Sequence, residues 1–158
     1  GGRAVWTGRS ALGPAGGGGV GWPGAVALVV VAPSVPCAFT EGRTGVAPAI
    51  ISVPILARCG WSKLAAPFLT GETFDAASAR DMGLVTHVAD DVAATVATLA
   101  AGILAGGPKA VAVARRILRG PQPKMIEMQA LSEELFNSAE AAEGMRAFAT
   151  KSPPAWSN

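Results

Sequence analysis

Residues 25–32 read Ala-Val-Ala-Leu-Val-Val-Val-Ala, an unbroken apolar run with Pro23 before it and Pro33 after it. β-Branched residues dominate its second half, and polar and apolar positions do not alternate. Such a run reads as a strand buried on both faces. It demands more of the rest of the chain than any other segment, because a buried strand needs neighbours along its edges and cover on both faces. Only 37–39 and 84–88 offer further short apolar candidates. Residues 1–24 hold ten of the twenty glycines together with Pro14, show neither helical nor strand periodicity, and read as loop. The expected sheet is therefore incomplete. The run is also far short of the roughly 20 residues a membrane span needs, so no membrane partner is expected.

Helical signals follow. Residues 49–58 have helical character with Pro54 as an obstacle. Asp75 is placed to N-cap a short helix through Arg80-Asp81, with Gly83 suited to the position just past its end. Asp90-Asp91 caps the next helix, where Val92, Val96, Leu99 and Ile103 recur at helical spacing until Gly106-Gly107. Pro108 opens another, which runs to Gly120-Pro121. A last helix is expected from about Pro123 to Thr150, with Met128, Leu131, Leu135 and Ala139 on one stripe and Pro153-Pro154 as its stop.

The net charge of +2 is carried by the front of the chain. Residues 1–40 contain Arg3 and Arg9 and no acid, whereas residues 41–158 balance eleven basic side chains with eleven acidic ones. That balance argues against a nucleic-acid partner, which would want a clustered basic surface. Cys37 and Cys59 are read as reduced, buried thiols, and the absence of a charged-then-apolar start gives a cytoplasmic expectation.

A few residues can carry chemistry. Glu41 is the first acid of the chain and follows Cys37-Ala38-Phe39-Thr40. At the end of a buried strand it can serve as a general acid or base; the plain alternative is a solvated loop glutamate paired with Arg43. The glycines at 16–19 can offer backbone N–H groups to an oxyanion or a phosphate, or be a flexible leader. His87, the only histidine, has no partners for a nucleophilic triad or a zinc site and reads as structural; no metal is expected. Arg115, Arg116, Arg119 and Lys124 are a solvated helix end or a contact for ligand phosphates.

Ala38-Phe39-Thr40-Glu41, Gly45-Val46-Ala47-Pro48, Thr70-Gly71-Glu72, Ala76-Ala77 and Gly83-Leu84-Val85 resemble the enoyl-CoA hydratase/isomerase (crotonase) family. Glu143-Gly144-Met145-Arg146-Ala147-Phe148, with Lys151 and Pro154-Ala155-Trp156, is similar to the end of that family's sequences. The resemblance covers about 29–156. It implies an α/β fold: an incomplete crotonase-like core of ββα turns, followed by a mainly helical C-terminal region that builds trimer contacts. The corresponding division is a glycine-rich leader at 1–24, a partial core at 25–90 and a helical trimerisation region at 91–158.

The resemblance also implies an acyl-CoA thioester as substrate, with CoA a part of that substrate and no separate cofactor. Glu41 falls on the family's second acid and would move a proton; Thr40 stands where the family usually has proline. Gly18 falls on the glycine whose N–H stabilises the thioester oxyanion. Phe148 and Lys151 match positions that approach CoA across a subunit boundary. The first acid of a two-glutamate hydratase would lie at position 21, which is glycine here, and Val26-Ala27 stands in place of a Cys-Asp pair. The expected reaction is addition of water to a 2-enoyl-CoA in fatty-acid metabolism by a homo-oligomer. The alternatives are a one-acid double-bond isomerase and an inactive remnant that associates with intact relatives. A lost native front, replaced by the glycine-rich leader, is the corresponding expectation for the start of the chain.

Overall fold

A computed structural model of the chain describes the backbone of residues 3–6, 9–12 and 15–16, and residues 27–157 with their side chains. Seven strands are present among these residues: β1 (Arg3–Trp6), β2 (Arg9–Leu12), β3 (Ala15–Gly16), β4 (Val29–Val31), β5 (Cys37–Ala38), β6 (Thr73–Phe74) and β7 (His87–Val88). The helices are α1 (Ala49–Cys59), α2 (Ala65–Thr70), α3 (Ala76–Asp81), α4 (Val92–Ala105), α5 (Pro108–Arg119), α6 (Met125–Phe136) and α7 (Ala139–Thr150). The chain divides into two compact units, residues 1–97 and 98–158.

The strand within the apolar run has partners on both edges. One sheet has the order β2-β1-β4-β7 and the other β3-β5-β6. β1 pairs with β4 antiparallel, Val5 opposite Val30, and β7 pairs with it in parallel, His87 opposite Val30. β3 pairs with β5 in parallel, Ala15 opposite Cys37. The loop reading of 1–24 is thus corrected at β1, β2 and β3. Strand pairing is a backbone property, and a glycine beside a strand, or within one as Gly16 is in β3, still carries the N–H and C=O that pair.

All three β4 residues are buried. Val29 and Val31 enter the core of the first unit with Val35, Cys37, Phe39, Ile55, Leu64, Ala76, Ala79, Leu84 and Val85. Val30 points to the opposite face and is buried there, as a doubly apolar strand requires. Thr86 fastens the start of β4: its hydroxyl donates to the Val29 carbonyl at 2.7 Å and accepts from the Val29 N–H at 2.8 Å. His87 lies on the edge strand with Nδ1 2.9 Å from the Thr86 hydroxyl, a structural position.

Local signals hold at several helix ends. Asp75 accepts from the Ser78 N–H at 2.7 Å, Asp91 from the Ala94 N–H at 2.9 Å, and Gly83 takes φ +87° just past α3. Pro54 sits inside α1, which presents Ile51 and Ile55 to the core while Ile50 and Val53 face out. The single long helix expected over 123–150 is two. α6 stops at Asn137, and Ser138 caps α7 by accepting from the Ala141 N–H at 3.1 Å. The cap satisfies an N–H that a continuous helix would have bonded internally.

Breaking the helix there places Glu140 at the start of α5. Its two oxygens accept from the N–H groups of Lys109 and Ala110, both at 2.8 Å. Gly107 leaves the room: a Cβ on it would stand 2.5 Å from Glu140 Oε1. Glu140→Ala is expected to cost the second unit about 1 kcal/mol through the lost cap, read as a lower urea midpoint at unchanged slope. Gly107→Ala should produce a loss of the same order by displacing the carboxylate.

Candidate active site

Phe39 follows β5 and is fully buried, its ring 4.4 Å from that of Phe68 and 5.7 Å from that of Phe74. Past this anchor the chain leaves the core and turns at once. Glu41–Thr44 forms one 3-10 turn. The Glu41 carbonyl accepts from the Val46 N–H at 3.1 Å and from the Thr44 hydroxyl at 2.8 Å. Gly45 closes the turn at φ +77°, a conformation that costs a residue with a Cβ about 1 kcal/mol or more.

The turn rests on α2. Arg43 Nε donates to the Thr70 carbonyl at 3.4 Å, a long contact. Gly71, at φ +64°, passes so close that a Cβ there would meet the Arg43 side chain at 3.0 Å and the Phe39 carbonyl at 3.3 Å. The Thr70 hydroxyl donates to Ala66 and accepts from the Glu72 N–H. Thr70-Gly71-Glu72 is therefore a fastening for the turn that bears Glu41.

Glu41 itself is half-buried, and its Oε2 is buried without a hydrogen-bond partner. No ion pair among the described residues includes it, and Arg43 is turned toward Thr70 instead. The reading as a glutamate paired with Arg43 is not the arrangement observed. A buried carboxylate oxygen left unpaired costs free energy and calls for an explanation. A reacting group that must receive and give a proton supplies one.

The other nucleophile-type side chains of this unit are less suited to chemistry. Both cysteines are free thiols, Cys37 buried and Cys59 partly so. Burial, with the Asp75 charge adding to it, pushes the Cys37 thiol up to about 11, so little thiolate exists at neutral pH. Burial also raises the Cys59 thiol, against the opposing effects of Arg58 and Lys63.

Gly18 and Gly21 lie outside the described residues. Phe148 and Lys151 belong to the second unit, at the end of α7. Phe148 is 89% exposed, and Lys151, also exposed, ends the helix at φ +49°. The structure brings these two together at one helix end.

The nearby closing motif is structural. Arg146 donates to both oxygens of Glu143 at 2.7 Å, and Glu143 also accepts from the Ala155 N–H at 2.9 Å. Gly144 leaves space for the Trp156 ring, whose Nε1 donates to the Ala105 carbonyl. The Arg146 hydrogen bonds first, then the Ala155 N–H, hold the Glu143 carboxyl down at about 2, against an ordinary value of 4.5. With the folded value below the unfolded one, this contribution to stability is complete above about pH 4.5 and is lost as pH falls toward 2. Protection of the Ala155 amide, its exchange rate relative to that of an unfolded peptide at the same pH, is expected to fall across that window, and Glu143→Gln should abolish the dependence.

The model of the enoyl-CoA hydratase/isomerase family matches residues 11–158. The chain belongs to that family, and its fold is an incomplete crotonase-like α/β core with a mainly helical C-terminal region. The match begins inside the segment read as a leader. Enoyl-CoA hydratase EchA19 of Mycobacterium tuberculosis is 37% identical over 97 residues, 57% of this chain and 36% of that protein. A crotonase-type enoyl-CoA hydratase/isomerase structure from Legionella pneumophila superposes with TM-score 0.81 at 27% identity, over 92% of this chain and 59% of that one. One from Marinobacter aquaeolei gives 0.82 at 26% identity, over 93% and 59%. The chain thus spans about a third of the curated relative and three fifths of these solved ones. Among the described residues no single helix is long and apolar enough to cross a membrane.

Proposed function

We propose that the chain acts on enoyl-CoA thioesters as a hydratase, with Glu41 as the proton-transferring group. The observation that carries this reading is the buried, partnerless Oε2 of Glu41 on a turn pinned by Gly45, Thr44 and the Thr70-Gly71 fastening. In hydration the oxygen of water bonds to Cβ, the double-bond electrons pass to the thioester oxygen, and Cα then takes a proton. Glu41 delivers that proton and recovers one from the attacking water. Gly18 N–H is assigned to the oxyanion, Phe148 and Lys151 to the CoA moiety, and the working form to a homo-oligomer. No cofactor beyond the CoA of the substrate takes part.

Gly21 favours a second reading. Without a carboxylate there, water has one activating group fewer, whereas a double-bond isomerase needs a single acid to move a proton from C2 to C4. The test uses the 158-residue chain. Loss of the conjugated thioester absorbance from a 2-enoyl-CoA supports hydration; its appearance from a 3-enoyl-CoA supports isomerisation. Lys151→Ala is expected to raise KM about tenfold with kcat little changed, the mark of lost ground-state binding. Absence of turnover with either substrate at high enzyme concentration would overturn both readings in favour of an inactive relative.

A further inference from the structure

Among the described residues the glycines at positive φ are Gly45, Gly60, Gly71 and Gly83, and each follows a helical turn. Left-handed backbone at a helix end is by itself reason enough for a glycine. At Gly45, Gly60 and Gly83 an added Cβ would meet nothing within 4 Å. Gly71 differs. A Cβ there would stand 3.0 Å from Arg43 Nε, 3.1 Å from Arg43 Cγ and 3.3 Å from the Phe39 carbonyl. The end of α2 accounts for the backbone of Gly71 but leaves its close approach to Arg43 without a reason.

Arg43 stands two residues after Glu41 in the same 3-10 turn, none of whose members is buried. The backbone of the turn closes without the Arg43 side chain: Thr40 accepts from the Arg43 N–H at 3.0 Å and Glu41 from the Val46 N–H at 3.1 Å. A guanidinium so near in the chain, on an exposed turn, would be drawn to a carboxylate that has no ion pair among the described residues. It goes instead to the Thr70 carbonyl, although Nε reaches that oxygen only at 3.4 Å. So long a hydrogen bond is weak. The hold rests on the Arg43 stem lying in the space that Gly71 leaves.

We propose that Gly71 is a positioning residue for Glu41: by lacking a side chain it seats Arg43 against the end of α2 and keeps the guanidinium off the carboxylate. What this protects is the proton transfer at Glu41, and the assignment rests on that reading. An opposite charge beside a carboxylate favours the ionised form, so a paired glutamate takes up and hands on a proton less readily. Gly71 acts through Arg43.

The experiment measures kcat and KM of the full chain with the enoyl-CoA it turns over, for Gly71→Ala and for Gly83→Ala, which brings left-handed strain with no neighbour for its Cβ. Gly71→Ala is expected to lower kcat about tenfold with KM within about twofold. Part of that loss should return at about 0.5 M salt, which screens an exposed pair. Gly83→Ala should keep kcat within about twofold while its urea midpoint falls similarly. In an Arg43→Met background, which keeps the bulk of the stem but no cation, Gly71→Ala should lower kcat by less than about twofold further. Where Gly71→Ala fails to fold, Gly71→Asn takes its place, since asparagine tolerates left-handed backbone and still carries a Cβ. Parental kcat in the position-71 variant, an equal loss in Gly83→Ala, or the same loss in the Arg43→Met background would each overturn the proposal. Absence of turnover with either substrate overturns the reading of Glu41 and is told apart by nuclear magnetic resonance. The Glu41 carboxyl carbon should still shift in Gly71→Ala and return when Arg43→Met is added; a resonance that stays in place overturns the positioning role.

Discussion

Glu41→Gln is expected to lower turnover by about 10²- to 10⁴-fold, the range that a positioned general acid–base contributes. Glutamine keeps the shape of the side chain and the turn that carries it, so the backbone holds at Val46 and Thr44 persist. It cannot accept and release a proton at neutral pH. KM should change little, because the loss falls on the transition state. Stability should hold or rise slightly, since a neutral amide replaces a carboxylate whose Oε2 is buried without a partner. Steady-state kinetics paired with a urea melt separates the two effects. Turnover within a few-fold of the parent chain would rule out Glu41 as the proton carrier.

Phe39→Ala is expected to cost about 3–5 kcal/mol, the usual penalty for emptying a fully buried aromatic site. The ring lies against both Phe68 and Phe74, which cannot both close the gap while α2 and β6 stay in place. The damage reaches the site as well, because the Phe39 carbonyl faces Gly71 and Glu41 is only two residues on. Phe39→Leu, which keeps most of the volume, should cost about 1–2 kcal/mol. Urea unfolding of the three proteins gives the order directly. An alanine variant as stable as the parent would contradict the packing described for this core.

The parts of the fold that were legible in the sequence depend on one residue and its near neighbours. Asp75 and Asp91 cap where a short acceptor precedes a helix, Gly83 takes the left-handed position, and Pro108 opens α5. The division of 123–150 into α6 and α7 was less visible. Ser138 is a good cap, yet the apolar stripe through Leu135 and Ala139 runs across it, and periodicity favoured one helix. What decides between the two is Glu140, which in the broken arrangement satisfies two N–H groups of α5 some thirty residues away.

For the site, Glu41 could be singled out as an acid placed after a buried strand, and the family motifs gave its neighbours. Its lack of an ion pair could not be read, because Arg43, two residues away, was the obvious partner. Only the packing of the turn on α2 sends that guanidinium to Thr70.

The same distinction applies to the apolar run at 25–32. Its composition alone required a strand buried on both faces, since nothing in it can meet water favourably, and β4 is buried at every position. Its partners were not encoded in any pattern within reach of it. Val30 is flanked by Val5 and by His87, one from a glycine-rich segment without periodicity and the other fifty-seven residues along the chain. Hydrophobicity is a property of each side chain and is legible in order. Strand pairing is made by backbone groups that every residue carries, and only the tertiary structure decides which of them meet.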